Sequence, residues 1–230
     1  MVNALDQRLL DALRALDGPS IANAIETRHV RLRNEGFSDS RVRALFGRLP
    51  PVVGHAVTAR IRCSSPPPVG HTYIDRTDLW AHVLAVPAPR ILVVQDIDEH
   101  RGAGAFVGHV HACILRALGC EAFVTDGAVR DLPEVEAMGF SLFAGGVSVS
   151  HGFVHLVDFD RPVEIAGLPV ATGDLLFGDV HGLVNIPLEV AAELPALVAR
   201  MQAQEQQVID FCESPQFSLD ALQSLVSQLP

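Results

Sequence analysis

The 230 residues carry 27 acidic side chains against 17 basic ones, a net charge of −10, and 49% of them are hydrophobic. That supply of apolar residues sustains a core without disulfides or a structural metal and excludes a disordered chain. The acidic balance disfavours a general nucleic-acid binder, and no apolar run is long enough for a transmembrane helix.

The residues Leu5–Leu16 have helical spacing with interleaved charges, which predicts an amphipathic helix rather than a signal peptide. Gly18-Pro19 breaks it, and Ser20 is placed to cap a second helix from Ile21 to about Thr27. Arg41–Phe46 reads as a short helical piece. Val52–Arg62 is rich in Val, Ile and Thr and predicts a strand. Ser64–Gly70, with three consecutive prolines, is a loop, and Leu79–Leu84 is helical until Pro87 and Pro89. Arg90–Asp96 is a continuous apolar run of strand length, hence a buried strand. A glycine-rich turn, Arg101–Gly104, leads into a helix over Ala105–Leu118 that Gly119 terminates. Glu121–Thr125 is a second buried strand, and Pro133–Met138 a helix stopped by Gly139. Short strands follow at Ser141–Phe143, Val147–Val149, Val154–Phe159, Val163–Ile165, Asp174–Phe177 and Leu183–Ile186. Leu188–Cys212 is a long C-terminal helix, bent at Pro195. With no internal repeat and no linker, this order predicts one α/β domain over residues 1–230, with a mixed sheet or two β layers.

All of the basic residues are arginine; the chain contains no lysine. A Schiff-base lysine, an internal pyridoxal-phosphate aldimine and a P-loop are therefore excluded. Carbon–carbon bond chemistry here has to stabilise its carbanion with a metal ion or an arginine. Cys63, Cys113, Cys120 and Cys212 form no CxxC pair, which predicts buried thiols in a reducing, cytoplasmic compartment. Arg28, Arg31, Arg33, Arg41, Arg43 and Arg48 cluster in one segment and predict a solvated or subunit-facing surface.

Four constellations could carry chemistry. Gly102, Gly104 and Gly108, between two buried strands and followed by Asp126, resemble a dinucleotide fingerprint, but acids and Arg101 separate the first glycine from its strand. What survives is an anion site on the N–H groups at a helix start. His109, His111, His151 and His155 invite a zinc site, although strand spacing separates the last two. In Asp126-Gly-Ala-Val-Arg130-Asp131-Leu-Pro-Glu134, Asp131 and Glu134 could form a capping box. Alternatively Arg130 grips a carboxylate while Asp131 holds a hard metal ion, with Asp126 and Glu134 as supporting acids. A 2-keto acid offers both partners, a carboxylate and a chelating oxygen. Gly173–Pro187, with Asp174, Asp179 and His181, reads as strand, turn, strand.

The segments VVGHAVTA, VTDGAVRDLPEV, FAGGVSVSH and GDLLFGDVHGLVNIP, in this order along the chain, resemble signatures of the RraA-like family. That family comprises 4-hydroxy-4-methyl-2-oxoglutarate aldolases, oxaloacetate decarboxylases and the regulator of ribonuclease E activity A. The likeness covers about residues 20 to 210. It implies a compact α/β/β/α swivelling-type fold, assembled as a homo-oligomer, trimer or hexamer, with sites between subunits. It implies that Arg130 binds the pyruvyl carboxylate and keto oxygen, and that Asp131 ligates a divalent metal, magnesium first with manganese or another transition metal as alternatives. It further implies that the backbone amides of Gly108, His109, Val110 and His111 hold the carboxylate, and that Glu205 of a neighbouring copy supports the metal's waters. The family's metal-dependent aldolases have an aspartate where this chain has His109. The regulator type has glycine there and a carboxylate three residues beyond the RD aspartate, which Glu134 supplies. The resulting expectation is a metal-dependent lyase that cleaves a 2-keto dicarboxylate through a pyruvate enolate, with Arg130, His109 and Glu205 as its catalytic groups. The rival expectation is a non-enzymatic regulator that binds a protein partner.

Overall fold

A computed structural model describes residues 5–68 and 76–227. Alternation within the apolar strands explains how it is layered. In β3 (Arg90–Asp96), Ile91 and Val93 join one buried cluster while Leu92 and Val94 join another. Both faces of the strand are thus covered, as its unbroken apolar run requires. β3 lies between β2 (Val52–Arg62) and β5 (Cys120–Val129), parallel to both. β5 also pairs in parallel with β4 (Ala105–Val107) and β6 (Ser141–Val147). The sheet is completed by antiparallel partners: β1 (Arg43–Ala44) on β6, β7 (His155–Phe159) and β10 (Leu175–Asp179) on β2, and β11 (Gly182–Ile186) on β10.

Three buried clusters define the layers. The innermost lies between the sheet and a hairpin of β8 (Val163–Ile165) and β9 (Leu168–Val170). A second lies beneath α3 (Arg76–Ala85), α4 (His109–Ala117) and α5 (Leu132–Ala137). The third joins β10 and β11 to α1 (Gln7–Arg14), α2 (Gly18–Glu26) and α6 (Leu194–Glu213). Helices therefore cover two outer β faces, in the α/β/β/α order expected, and a long helix lies near the C-terminus, followed by α7 (Leu219–Val226). Among the described residues no helix is long and apolar enough to cross a membrane.

Several elements depart from expectation for local reasons. Asp17, not Ser20, caps α2, accepting from Ser20 N at 2.9 Å, so Gly18-Pro19 forms the first turn instead of a break. Arg41–Phe46 contains no helix; Arg43 and Ala44 pair with Ala144 and Phe143 of β6. Ala105–Val107 is a strand, and α4 starts only at His109. The two strands expected around Gly145 are one, β6, leaving Val149 beyond its end and 99% exposed. Pro195 does not bend a helix; it occupies the first turn of α6, where its missing N–H costs nothing. β9 and α7 were not anticipated. The loop expected at Ser64–Gly70 is described only to Pro68. No two cysteines form a disulfide; Cys63 and Cys120 are buried, but Cys212 is exposed.

Candidate active site

Two segments leave the sheet side by side. β4 ends at Val107 and β5 at Val129, paired in parallel. Arg130 N donates to the Val107 carbonyl at 3.0 Å, which clamps the Arg130–Asp131 turn against the start of α4. This is the carboxyl edge of parallel strands, where α/β sheets present their ligand sites.

Asp131 does not perform the capping role that its sequence context suggests. It sits at the N-cap position of α5 with φ 57 and ψ 42, and its side chain makes no bond to that helix. A left-handed conformation is uncommon for a residue bearing a side chain and marks a position imposed by its surroundings. Its Oδ2 instead accepts from His109 N at 2.9 Å, and Arg130 Nε lies 3.8 Å from the same oxygen. The capping box with Glu134 is therefore absent; Glu134 stands exposed in the first turn of α5.

Gly108 is what allows this approach. A Cβ there would fall 2.3 Å from Asp131 Oδ2 and 3.0 Å from Arg130 Nε. Its own φ of −131 is ordinary, so proximity and not conformation demands glycine. The first turn of α4 directs N–H groups without intrahelical acceptors at this corner. That of His109 is taken by Asp131, and that of Val110 follows it in the same turn.

The structure thus brings Gly108, His109, Arg130 and Asp131 together. The side chains of Arg130 and Asp131 are 37% and 40% exposed, open to a small molecule. His109 and Val110 are exposed at the rim. The ring of His111 turns inward and stacks on Phe106, with centroids 5.9 Å apart. Glu205 does not join them. It is exposed on α6, which packs with α1 and α2, whereas α4 and α5 belong to a different cluster. Within one chain it does not reach the corner.

Asp126 lies behind the corner, its side chain only 5% exposed. It accepts from Asp96 N at 2.8 Å and from Arg101 Nη1 at 2.6 Å. Burial pushes its carboxyl up to about 6, against the hydrogen bond from Asp96 N and the Arg101 charge. Sequence reasoning missed Asp96 and Arg101 as members of this group; the only signal was an acid ending an otherwise apolar strand.

Two alternative constellations fail. β4 intervenes between Gly104 and Gly108, so no dinucleotide-type turn runs directly from strand into helix, and Asp126 faces Arg101 and Asp96. The four histidines do not converge. His151 and His155 direct Nδ1 at the Gly152 and Phe153 carbonyls, each at 2.8 Å. Among the described residues, Cys63, Asp96 and Asp98 alone gather potential ligand atoms, within 4.8 Å of one another. The carboxylates there already accept backbone N–H groups: Asp98 from Cys63 and Ser64, Asp96 from Asp98 and Gly102. Burial raises Asp96; for Asp98 burial acts in the same direction, but the Cys63 and Ser64 amides, the Ser64 side chain and the Arg62 charge together outweigh it and hold the group low. This is a saturated structural knot. A cavity of about 240 Å³ bounded by Arg62, His155, Leu156 and Pro66 lies at the C-terminal end of β2 and includes neither Arg130, Asp131 nor the start of α4.

The chain is 31% identical over 84 residues to a protein of Halalkalibacterium halodurans provisionally named as a 4-hydroxy-4-methyl-2-oxoglutarate aldolase; the match spans 36% of this chain and 40% of that relative's length. An uncharacterized protein from Pseudomonas syringae superposes with a TM-score of 0.74 at 22% identity, over 100% of this chain and 97% of that one. Streptomyces coelicolor RraAS2, described as an unusual member of the RNase ES inhibitor RraA protein family, superposes with a TM-score of 0.69 at 22% identity, over 89% and 96%. At such identities these structures share the fold alone. The model of the RraA-like family, described as Aldolase/RraA, matches residues 9–185, and the chain belongs to that family.

Proposed function

We propose that the chain is a divalent-metal-dependent carbon–carbon lyase acting on a 2-keto dicarboxylate. The observation that carries this reading is Asp131. Its carboxylate forgoes its own helix to face the α4 start beside the Arg130 guanidinium, over a glycine that leaves them room.

The donor set fits a hard cation. Such ions take carboxylate oxygens and keep several waters, and a single half-exposed carboxylate on an open rim suits that arrangement. Asp131 would hold the ion, and the imidazole of His109 adds a nitrogen that manganese or zinc accepts better than magnesium. When bound, the ion supplies a Lewis acid for the substrate's keto oxygen.

The chain's own residues do the rest. Arg130 grips the carboxylate next to the keto group with its planar fork, and the Val110 N–H at the start of α4 adds a dipole of matching sign. The bond between C3 and the departing carbon breaks. The departing fragment is carbon dioxide in a decarboxylation, or, in a retro-aldol cleavage, a carbonyl compound whose former hydroxyl proton passes to His109. The electron pair passes to the keto oxygen, and Arg130 stabilises the resulting pyruvate enolate. His109, exposed at the rim, would hold the proton that returns to C3. With no lysine in the chain, no covalent imine route competes.

The test is pyruvate release from oxaloacetate, with EDTA and with added Mg2+ or Mn2+. Metal-dependent release that Arg130→Ala abolishes supports the reading. No release under any of these conditions overturns it and leaves the non-enzymatic, partner-binding role.

A further inference from the structure

Asp126 is buried and charged, yet it lies outside the corner formed by Arg130 and Asp131. Its carboxylate joins three segments. It accepts from Asp96 N at the end of β3 and from Arg101 in the loop that follows. Asp96 in turn accepts from Gly102 N at 2.8 Å. The two carboxylates therefore fasten Arg101 and Gly102, and the chain beyond them runs through β4 to Gly108. Asp126 also sits in the irregularity of β5, where the register with β6 shifts between Thr125 and Ala128. Gly127 N turns there to Thr125 Oγ1 at 3.0 Å. Beyond the irregularity β5 resumes pairing and delivers Arg130 and Asp131. One side chain thus anchors the approach of both strands that build the corner.

We propose that Asp126 is a positioning residue: its ionised carboxylate, paired with Arg101, holds the Gly102–Gly108 segment and the Arg130–Asp131 turn in register for substrate, and its protonation releases Arg101 and loosens that register. What is bound at the corner rests on the lyase reading above; the lock itself does not.

The charged groups that face Asp126 are Arg101 from the loop, Asp96 from β3 with Asp98 behind it, and Arg41 from the segment before β1. The protonated acid still has an oxygen for Asp96 N but no longer neutralises the guanidinium. Burial disfavours its charged form, so a carboxylate kept here opposes the fold's own stability. An amide would fill the same space without that opposition. Retention of a charge against solvation is a mark of functional sites.

Oxalate, a planar dianion shaped like pyruvate enolate, is the probe, titrated calorimetrically into Mg2+-supplemented protein from about pH 5 to pH 8. Wild-type affinity is expected to fall roughly tenfold or more as pH drops through about 6, where the Asp126 carboxyl signal also moves in 13C NMR. Asp126→Asn should bind at the weak, acid level throughout, and Arg101→Gln should weaken binding at the alkaline end by a similar factor. An acid limb that persists unchanged in Asp126→Asn overturns the proposal. A carboxyl signal that moves only in the ordinary aspartate range does the same. If the wild type neither binds oxalate nor releases pyruvate, the lyase reading fails, and amide exchange over residues 101–108 decides the lock. Faster exchange in both variants than in wild type supports it, and unchanged exchange overturns it.

Discussion

Residues at the corner and behind it are distinguished by what they give up locally. Asp131 gives up its cap, Gly108 gives up a side chain, and Asp126 gives up hydration. For Arg130 the consequence is a geometric demand. Arg130→Lys preserves charge but not the two-point grip, so it should lower the rate of pyruvate release nearly as far as Arg130→Ala, roughly 30- to 1,000-fold. A lysine variant that keeps most of the rate would make Arg130 a structural charge. For Asp126 the consequence appears as stability. Its folded pKa is raised from 3.8 to about 6, so the folded protein binds the extra proton between those values. The stability this contributes is complete below the lower value and is lost as pH rises through the upper one. The shift corresponds to on the order of 3 kcal/mol. Asp126→Asn does not titrate, so its stability relative to wild type should increase between about pH 5 and pH 8, offset in part by loss of the Arg101 pair. Urea unfolding at the two pH values measures this, and a difference that does not change with pH contradicts it. Stability and ligand binding are thus expected to move in opposite directions in one variant.

Elements that answer to local rules were legible in the sequence, and those set by pairing were not. β2 and β3 begin and end where their apolar runs do, because burial on both faces leaves no choice of register. Gly119 and Gly139 end their helices with φ of 76 and 70, as glycine at those positions promises. Ala105–Val107 fitted a helical period, yet those residues pair with β5 once its irregularity has passed, a contact their own sequence does not announce. Arg43 and Ala44 are strand only because β6 is beside them. The same division holds at the site. Arg130 and Asp131 were visible as a cation and an acid after a buried strand, whereas the joining of Asp126 to Arg101 depends on a loop whose path sequence does not fix. The turn between β10 and β11 was legible and carries its own prediction. Asp179, with a side chain 8% exposed, accepts from Gly18 N and His181 N, both at 2.8 Å, and from His181 Nδ1 at 3.1 Å. Asp179→Ala leaves the first N–H of α2 without its acceptor and should destabilise by about 1–3 kcal/mol. Asp179→Asn retains one acceptor oxygen and should lose less. Equal urea midpoints for wild type and Asp179→Ala would show that water replaces the carboxylate fully.

At the scale of the whole molecule the corner borders exposed apolar side chains. Val110 is 72% exposed, Val147 58% and Val149 99%, and Val147 pairs with Val129, immediately before Arg130. An apolar lip beside a charged corner is the surface that a second copy of the chain would cover, and closed symmetric assembly would repeat that contact at every corner. The C-terminal half of α6 carries Glu205 together with exposed Ile209, and it packs nowhere near the corner of its own chain. A site completed by Glu205 of a neighbouring copy joins these two loose ends, and it makes a prediction that no arrangement within one chain shares. Arg130→Ala and Glu205→Gln should each be nearly inactive alone. Mixed and allowed to exchange subunits, they should regain activity, because some contacts then pair an intact Arg130 with an intact Glu205. The regained rate should be on the order of a tenth of wild type or more, set by how many corners receive both intact residues. Sedimentation of the same mixture fixes the premise. A single 24.7 kDa species at working concentration, or a mixture no more active than its components, removes Glu205 from the site and leaves proton delivery to His109 alone.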